Sequence, residues 1–99
     1  MLLIVGTVRL PPAALPAAKV AMANMIEASR AEPGCIDYVY AEDVIEAGLI
    51  HVKEMWSSRE ALHRHFQSHH IEQWRSSWKD LQISDRSLLL YEVGDAEPV

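Results

Sequence analysis

Five histidines stand out in this chain: His51, His63, His65, His69 and His70. Four of them crowd into the stretch from 63 to 70. Imidazole is the side chain whose ordinary pKa lies nearest neutrality, so such a cluster can accept and return protons at physiological pH. It can also ligate a transition metal. His65 and His69 are four positions apart and would share one face of a continuous helix. No H-E-x-x-H occurs, and only Glu72 offers an acidic partner within the same segment. The spacing therefore predicts no native metal site, although adventitious nickel or zinc could be picked up. His51 lies on a separate apolar stretch. His63 and His69 read as solvated side chains.

A base needs a substrate held beside it, and the chain is well supplied with groups for that purpose. Trp74 follows His70 by four positions, so the two can share a helix face and line one cavity. Trp78 reads as core. Trp56 could be either core or pocket wall. Tyr38 and Tyr40 share a strand face, where either hydroxyl could donate to a substrate oxygen or sit in an interface. Met22, Met25 and Ile26 are expected to form the helical wall of any cavity, since methionine suits an adaptable apolar surface. Glu54 is expected to pair with an arginine or lysine.

The elements that position these groups follow from periodicity. Leu2 to Leu10 reads as a strand, stopped by Pro11 and Pro12. Leu15 to Arg30 follows the helical period, with Pro16 in the first turn and Glu32-Pro33-Gly34 as the stop. Cys35 to Glu42 is a second strand, in which Ile36, Tyr38 and Tyr40 are expected on one face. Leu49 to Trp56 is a third, with Leu49, His51, Lys53 and Met55 on one face and Ile50, Val52, Glu54 and Trp56 on the other. Ser57-Ser58-Arg59-Glu60 fits a capping box with Ser57 as the cap. A short helix to about Phe66 follows, then a second segment from Ser68 to about Lys79. A last strand lies within Gln82 to Val93, and the tail from Gly94 is expected to fray.

The resulting order, β-α-β-β-α-β, is that of a ferredoxin-like α+β fold with one antiparallel sheet. Helices cover one face of that sheet. Strands one and three are expected to be apolar on both faces, so the other face needs cover. A second copy of the sheet, packed as a two-fold pair, would supply it and make a dimeric α+β barrel.

Composition narrows the class further. A chain of 99 residues fits one domain, spanning 1–99. Its hydrophobic share of 49% suits a folded protein. A net charge of −5 disfavours nucleic acid as a partner, and the aliphatic central strands lack the aromatic-basic pattern of an RNA-binding sheet. Met1 to Val8 is too short to span a bilayer and has no signal-peptide organisation. A cytoplasmic location is the expectation, with no membrane partner. Cys35 is the single cysteine, so no internal disulfide can form; it reads as a small buried hydrophobe.

Glu32-Pro33-Gly34-Cys35-Ile36-Asp37-Tyr38 resembles the E-P-G-C-x-x-Y signature that follows the first helix of antibiotic biosynthesis monooxygenase domains. Glu54-Met55-Trp56, Leu62 with His65, and Ser68 with His70 resemble that family's E-x-W, L-x-x-H and S-x-H elements. The resemblance implies a dimeric α+β barrel. In the quinol-oxidising branch it implies oxidation of a small quinol or polyphenolic aromatic by molecular oxygen, without metal, flavin or other cofactor. His65 and His70 stand where the histidines of that branch stand, which makes them the candidate catalytic bases. Trp56, Trp74, Tyr38, Met22 and Ile26 are then the candidate substrate contacts. Two departures matter. Val52 stands where actinorhodin-type members carry an asparagine. Val8, His65 and Arg75 stand where haem-degrading relatives carry asparagine, tryptophan and histidine, which turns the reading away from haem. Two alternatives use the same cavity: a non-catalytic ligand-binding or stress-related barrel, and a histidine-based isomerase or lyase indifferent to oxygen.

Overall fold

In the computed structural model, which describes all 99 residues, four strands and four α-helices follow in the order β1 (Leu2–Arg9), α1 (Leu15–Arg30), β2 (Cys35–Glu42), β3 (Leu49–Trp56), α2 (Arg59–Phe66), α3 (His69–Ser76), α4 (Trp78–Leu81) and β4 (Ser84–Glu92). A 3-10 turn, Pro12–Ala14, leads into α1. The strands form one antiparallel sheet ordered β2-β3-β1-β4. This is the ferredoxin-like α+β fold. No helix is long and apolar enough to cross a membrane.

α1 begins without a side-chain cap, on prolines that cannot continue a preceding strand. It buries Ala18, Met22, Met25 and Ser29 against the sheet. Ser29 is fully buried and donates its hydroxyl to the carbonyl of Met25 at 2.8 Å, which lets a small polar residue sit in the core without an unpaired group. Arg30 Nε donates to the carbonyl of Tyr38 at 2.9 Å and ties the end of α1 to β2. The chain then reverses through Gly34, whose φ of +87° lies in the left-handed region that side chains resist.

Three expectations are corrected by the structure. A bulge places Cys35 opposite Trp56 and Asp37 opposite Met55, so Ile36 is the extra residue. Ile36 is exposed and leaves the face that Tyr38 and Tyr40 share. The cap of α2 is Ser58, not Ser57: Ser58 Oγ accepts from the amide of Ala61 at 3.2 Å. The amide of Ser57 is already committed to the carbonyl of Gly34 at 2.8 Å. On β3 the face away from the helices is not apolar. His51 there pairs with Asp43 at 2.8 Å, and Lys53 with Asp37 at 2.8 Å.

The core lies between sheet and helices, built on Leu2, Ile4, Ile50, Trp56, Leu62 and Trp74 among others. The opposite sheet face carries no element of this chain. It presents Leu89, 61% exposed, and Tyr91, 47% exposed, beside the charged pairs of β3. The tail beyond Glu92 forms no helix or strand.

Candidate active site

Two breaks in the second helical region set the site. α2 ends at Phe66, and the chain turns through Gln67 and Ser68 before α3 begins. Ser68 holds the N-cap position of α3, but its hydroxyl turns back to donate to the carbonyl of His65 at 2.6 Å. The turn rotates α3 so that His70, not His69, comes beside His65, with ring centroids 5.9 Å apart. His69 and His63 are left exposed.

Between the two rings stands a residue from far earlier in the chain. Glu32, just beyond the end of α1, bonds through Oε1 to His65 Nδ1 at 2.8 Å and also to His70 Nε2. Ser68 Oγ lies 3.2 Å from the same His70 nitrogen. Side-chain exposure falls from 22% at His70 to 15% at Glu32 and 2% at His65, so the cluster has one open side, at His70. A carboxylate only accepts, so the two histidines donate: His65 through Nδ1–H and His70 through Nε2–H. Glu32 thereby orients both rings, with His65 Nε2 and His70 Nδ1 as the nitrogens facing away from it.

Behind His65 lies Glu54, which is buried. The expectation that it pairs with arginine or lysine fails. Its Oε1 accepts the indole N–H of Trp56 at 3.0 Å instead and stands 4.0 Å from His65 Nε2. Burial is the main force raising the pKa of Glu54, opposed by the indole hydrogen bond. Burial likewise pushes His65 below the usual histidine value, against the pull of Glu32. The His65–Glu32 contact is therefore a neutral N–H donating to a carboxylate, not a charged pair.

The aromatics pack around this axis. Trp56, fully buried, places its ring 4.5 Å from His65, and Tyr38 approaches to 5.3 Å. Tyr38 stacks on Tyr40 at 5.8 Å, Tyr40 meets Trp74 edge-on at 6.0 Å, and Trp74 meets Trp78 at 6.2 Å. Burial pushes the Tyr40 phenol up to about 12 and that of Tyr38 higher still, so both hydroxyls stay protonated near neutrality. The inner space bounded by Tyr38, Tyr40, Glu54, His65 and Trp78 measures about 20 Å³, room for roughly one water. Trp78 Nε1 is buried without a partner.

A larger cavity of about 290 Å³ opens between α1 and α3, lined by Ala21, Asn24, Met25, His70, Gln73 and Trp74 among its eight residues. His70 and Trp74 meet there, as their spacing predicts. The helical wall is Met25. Met22 faces a separate cleft with Tyr40 and Ile50, and Ile26 packs against the core without lining this cavity. Their positions on α1 turn them away from α3.

The N-terminal 77 residues match the family model described as antibiotic biosynthesis monooxygenase. The chain belongs to the antibiotic biosynthesis monooxygenase family. It is also 32% identical over 74 residues to an uncharacterised protein of Synechocystis sp.. That match covers 75% of this chain and 50% of the relative, so the chain spans about half the length of that curated relative. Among solved structures, a Deinococcus radiodurans protein provisionally named for the same family superposes with a TM-score of 0.92 at 25% identity, covering 100% of this chain and 98% of its own. A similarly named protein of Nitrosomonas europaea, 18% identical, matches in fold with a TM-score of 0.83 over 94% and 98% of the two chains.

Glu32 is the site residue that sequence reasoning missed. It was legible as the first member of the E-P-G-C signature, but only as a helix stop. Nothing in its spacing points to residues 33 and 38 positions away.

Proposed function

We propose that this member of the family is a cofactor-independent monooxygenase that oxidises a small quinol or polyphenolic aromatic with molecular oxygen. The observation that carries the reading is the Glu32 carboxylate held between His65 and His70, with His70 alone of the two on the larger cavity. Glu32 accepts the Nε2–H of His70, which leaves the opposite nitrogen, Nδ1, as the one that can take a proton. A phenol in the cavity that gives its proton to His70 becomes a phenolate, a far better reductant. The phenolate passes an electron to oxygen, and the radical pair recombines to a peroxide. For an anthrone-like CH₂ the peroxide collapses to C=O and water, one oxygen atom entering each product and all four electrons coming from the substrate. The protein's share is to deprotonate, stack and exclude water. Trp74 and Met25 supply the apolar wall. His65, closed off from that cavity, acts as a positioning residue through Glu32. The open sheet face is the surface through which a second copy would complete the barrel.

Oxygen uptake by chelator-stripped protein, supplied with a panel of quinols and anthrone-like phenols, tests this. Uptake should exceed the buffer rate and fall by about 10²- to 10⁴-fold in His70→Ala, the usual contribution of a positioned base. Substrate loss without oxygen use would point instead to the isomerase or lyase reading. Ligand binding with no turnover would point to a binding barrel.

A further inference from the structure

We propose that Glu32, His65 and His70 form a binding site for one divalent transition-metal cation. Glu32 Oε1, His65 Nδ1 and His70 Nε2 all lie within 4.8 Å of one another, so a single ion can reach all three. They come from three places that the fold holds together. Glu32 follows α1, whose end is tied to β2 by Arg30; His65 is in the last turn of α2; His70 is in the first turn of α3. Two imidazoles with one carboxylate suit Zn²⁺, Co²⁺, Ni²⁺ or Fe²⁺, and not Mg²⁺ or Ca²⁺, which take oxygen ligands.

Three further features fit an ion. Carboxyl oxygens flank His65 on both sides, from Glu32 in front and Glu54 behind. Glu54 stands 4.0 Å from His65 Nε2. With Nδ1 on a metal, Nε2 carries the proton and a small shift would let it donate to that carboxylate, the outer contact that orients metal-bound histidines. The open side at His70 leads to the 290 Å³ cavity, which gives an entry path and space for the waters that would complete the coordination shell. The sequence hides this site because the acidic ligand comes from outside the histidine-rich segment.

The inference goes beyond the proposed oxidation and does not need it. The ion replaces the protons on His65 Nδ1 and His70 Nε2 that now bridge to Glu32. Metal occupancy and proton transfer by His70 therefore compete for the same cluster.

Tag-free, chelator-stripped protein titrated with Co²⁺ alone tests the site, followed by visible absorption and equilibrium dialysis. We expect one Co²⁺ per chain, with affinity lowered at least about 100-fold in His70→Asn and in Glu32→Gln, and unchanged in His63→Asn/His69→Asn. A second measurement uses the wild-type chain, so it does not depend on variants folding. Zn²⁺ should shift the NMR signals of the His65 and His70 rings at one equivalent and leave those of His63 and His69 in place. Equal Co²⁺ affinity in wild type and His70→Asn overturns the proposal, as does a Zn²⁺ response confined to His63 and His69. Neither readout involves oxygen. A failure here leaves the monooxygenase reading standing, and silence in the oxygen assay leaves the metal site standing.

Discussion

A single methyl group at Gly34 probes how the turn after α1 holds the site. Gly34 has φ of +87°, and a Cβ built there would lie 2.5 Å from Ala61 Cβ and 2.8 Å from Ser57 Oγ. The left-handed backbone alone costs a residue with a side chain roughly 1–2 kcal/mol. Overlap with Ala61 must be relieved by moving α2, and overpacking of this kind costs typically about 1–3 kcal/mol. Gly34→Ala should therefore lose about 3 kcal/mol. At about 4–8 °C per kcal/mol for a chain of this size, Tm should drop by about 12–24 °C. The two contributions separate in a double-mutant cycle. Ala61→Gly removes the struck methyl, so it should restore part of the loss in the Gly34→Ala background while costing about 1 kcal/mol in the wild type, as glycine does in a helix. Ala61 stands one turn before His65, so the displaced helix should also weaken the His65–Glu32 contact. The assay is denaturant and thermal unfolding of all four proteins at one concentration. The reasoning is refuted if Gly34→Ala unfolds within about 0.5 kcal/mol of wild type, a surface-like effect, or if the cycle shows no coupling.

Two further predictions concern charge and assembly. Glu54 has its pKa raised in the folded state, so at a pH between the unfolded and folded values the folded chain keeps a proton there that the unfolded chain has released. That stabilisation is complete below the unfolded value and fades as pH rises through the folded one. Thermal unfolding of Glu54→Gln should therefore gain on wild type as pH rises above the ordinary carboxyl value of 4.5, and a Tm difference independent of pH would contradict the burial argument. Leu89 and Tyr91 are exposed on the uncovered sheet face. Leu89→Glu with Tyr91→Glu should shift sedimentation toward monomer, whereas a dimer unchanged on dilution would place the contact elsewhere.

Much of the fold was legible because local chemistry and tertiary structure agree along most of the chain. α1, β2 and β3 have the limits their periodicity predicts. The break before His69 was legible too, since Gln67 and Ser68 interrupt the apolar period. The errors fall where a contact or a register shift overrides the local pattern. Ser57 reads as a cap until Gly34 takes its amide. Ile36 reads as a core residue until the bulge shifts the alternation. Glu54 reads as one half of an ion pair until the indole of Trp56 claims its oxygen.

The sequence alone determined the topology, the histidine-rich segment and the pairing of His70 with Trp74 on one helix face. Each rests on periods of two or on three-to-four-residue spacings, which act between near neighbours. Only the tertiary structure decided that His70 rather than His69 meets His65, that Met25 rather than Met22 or Ile26 walls the cavity, and that Glu32 joins the two rings. Those outcomes depend on the angle at which α3 leaves the Ser68 turn and on the path of the chain through Gly34. Such angles arise from packing between segments distant in the chain, where no spacing rule reaches.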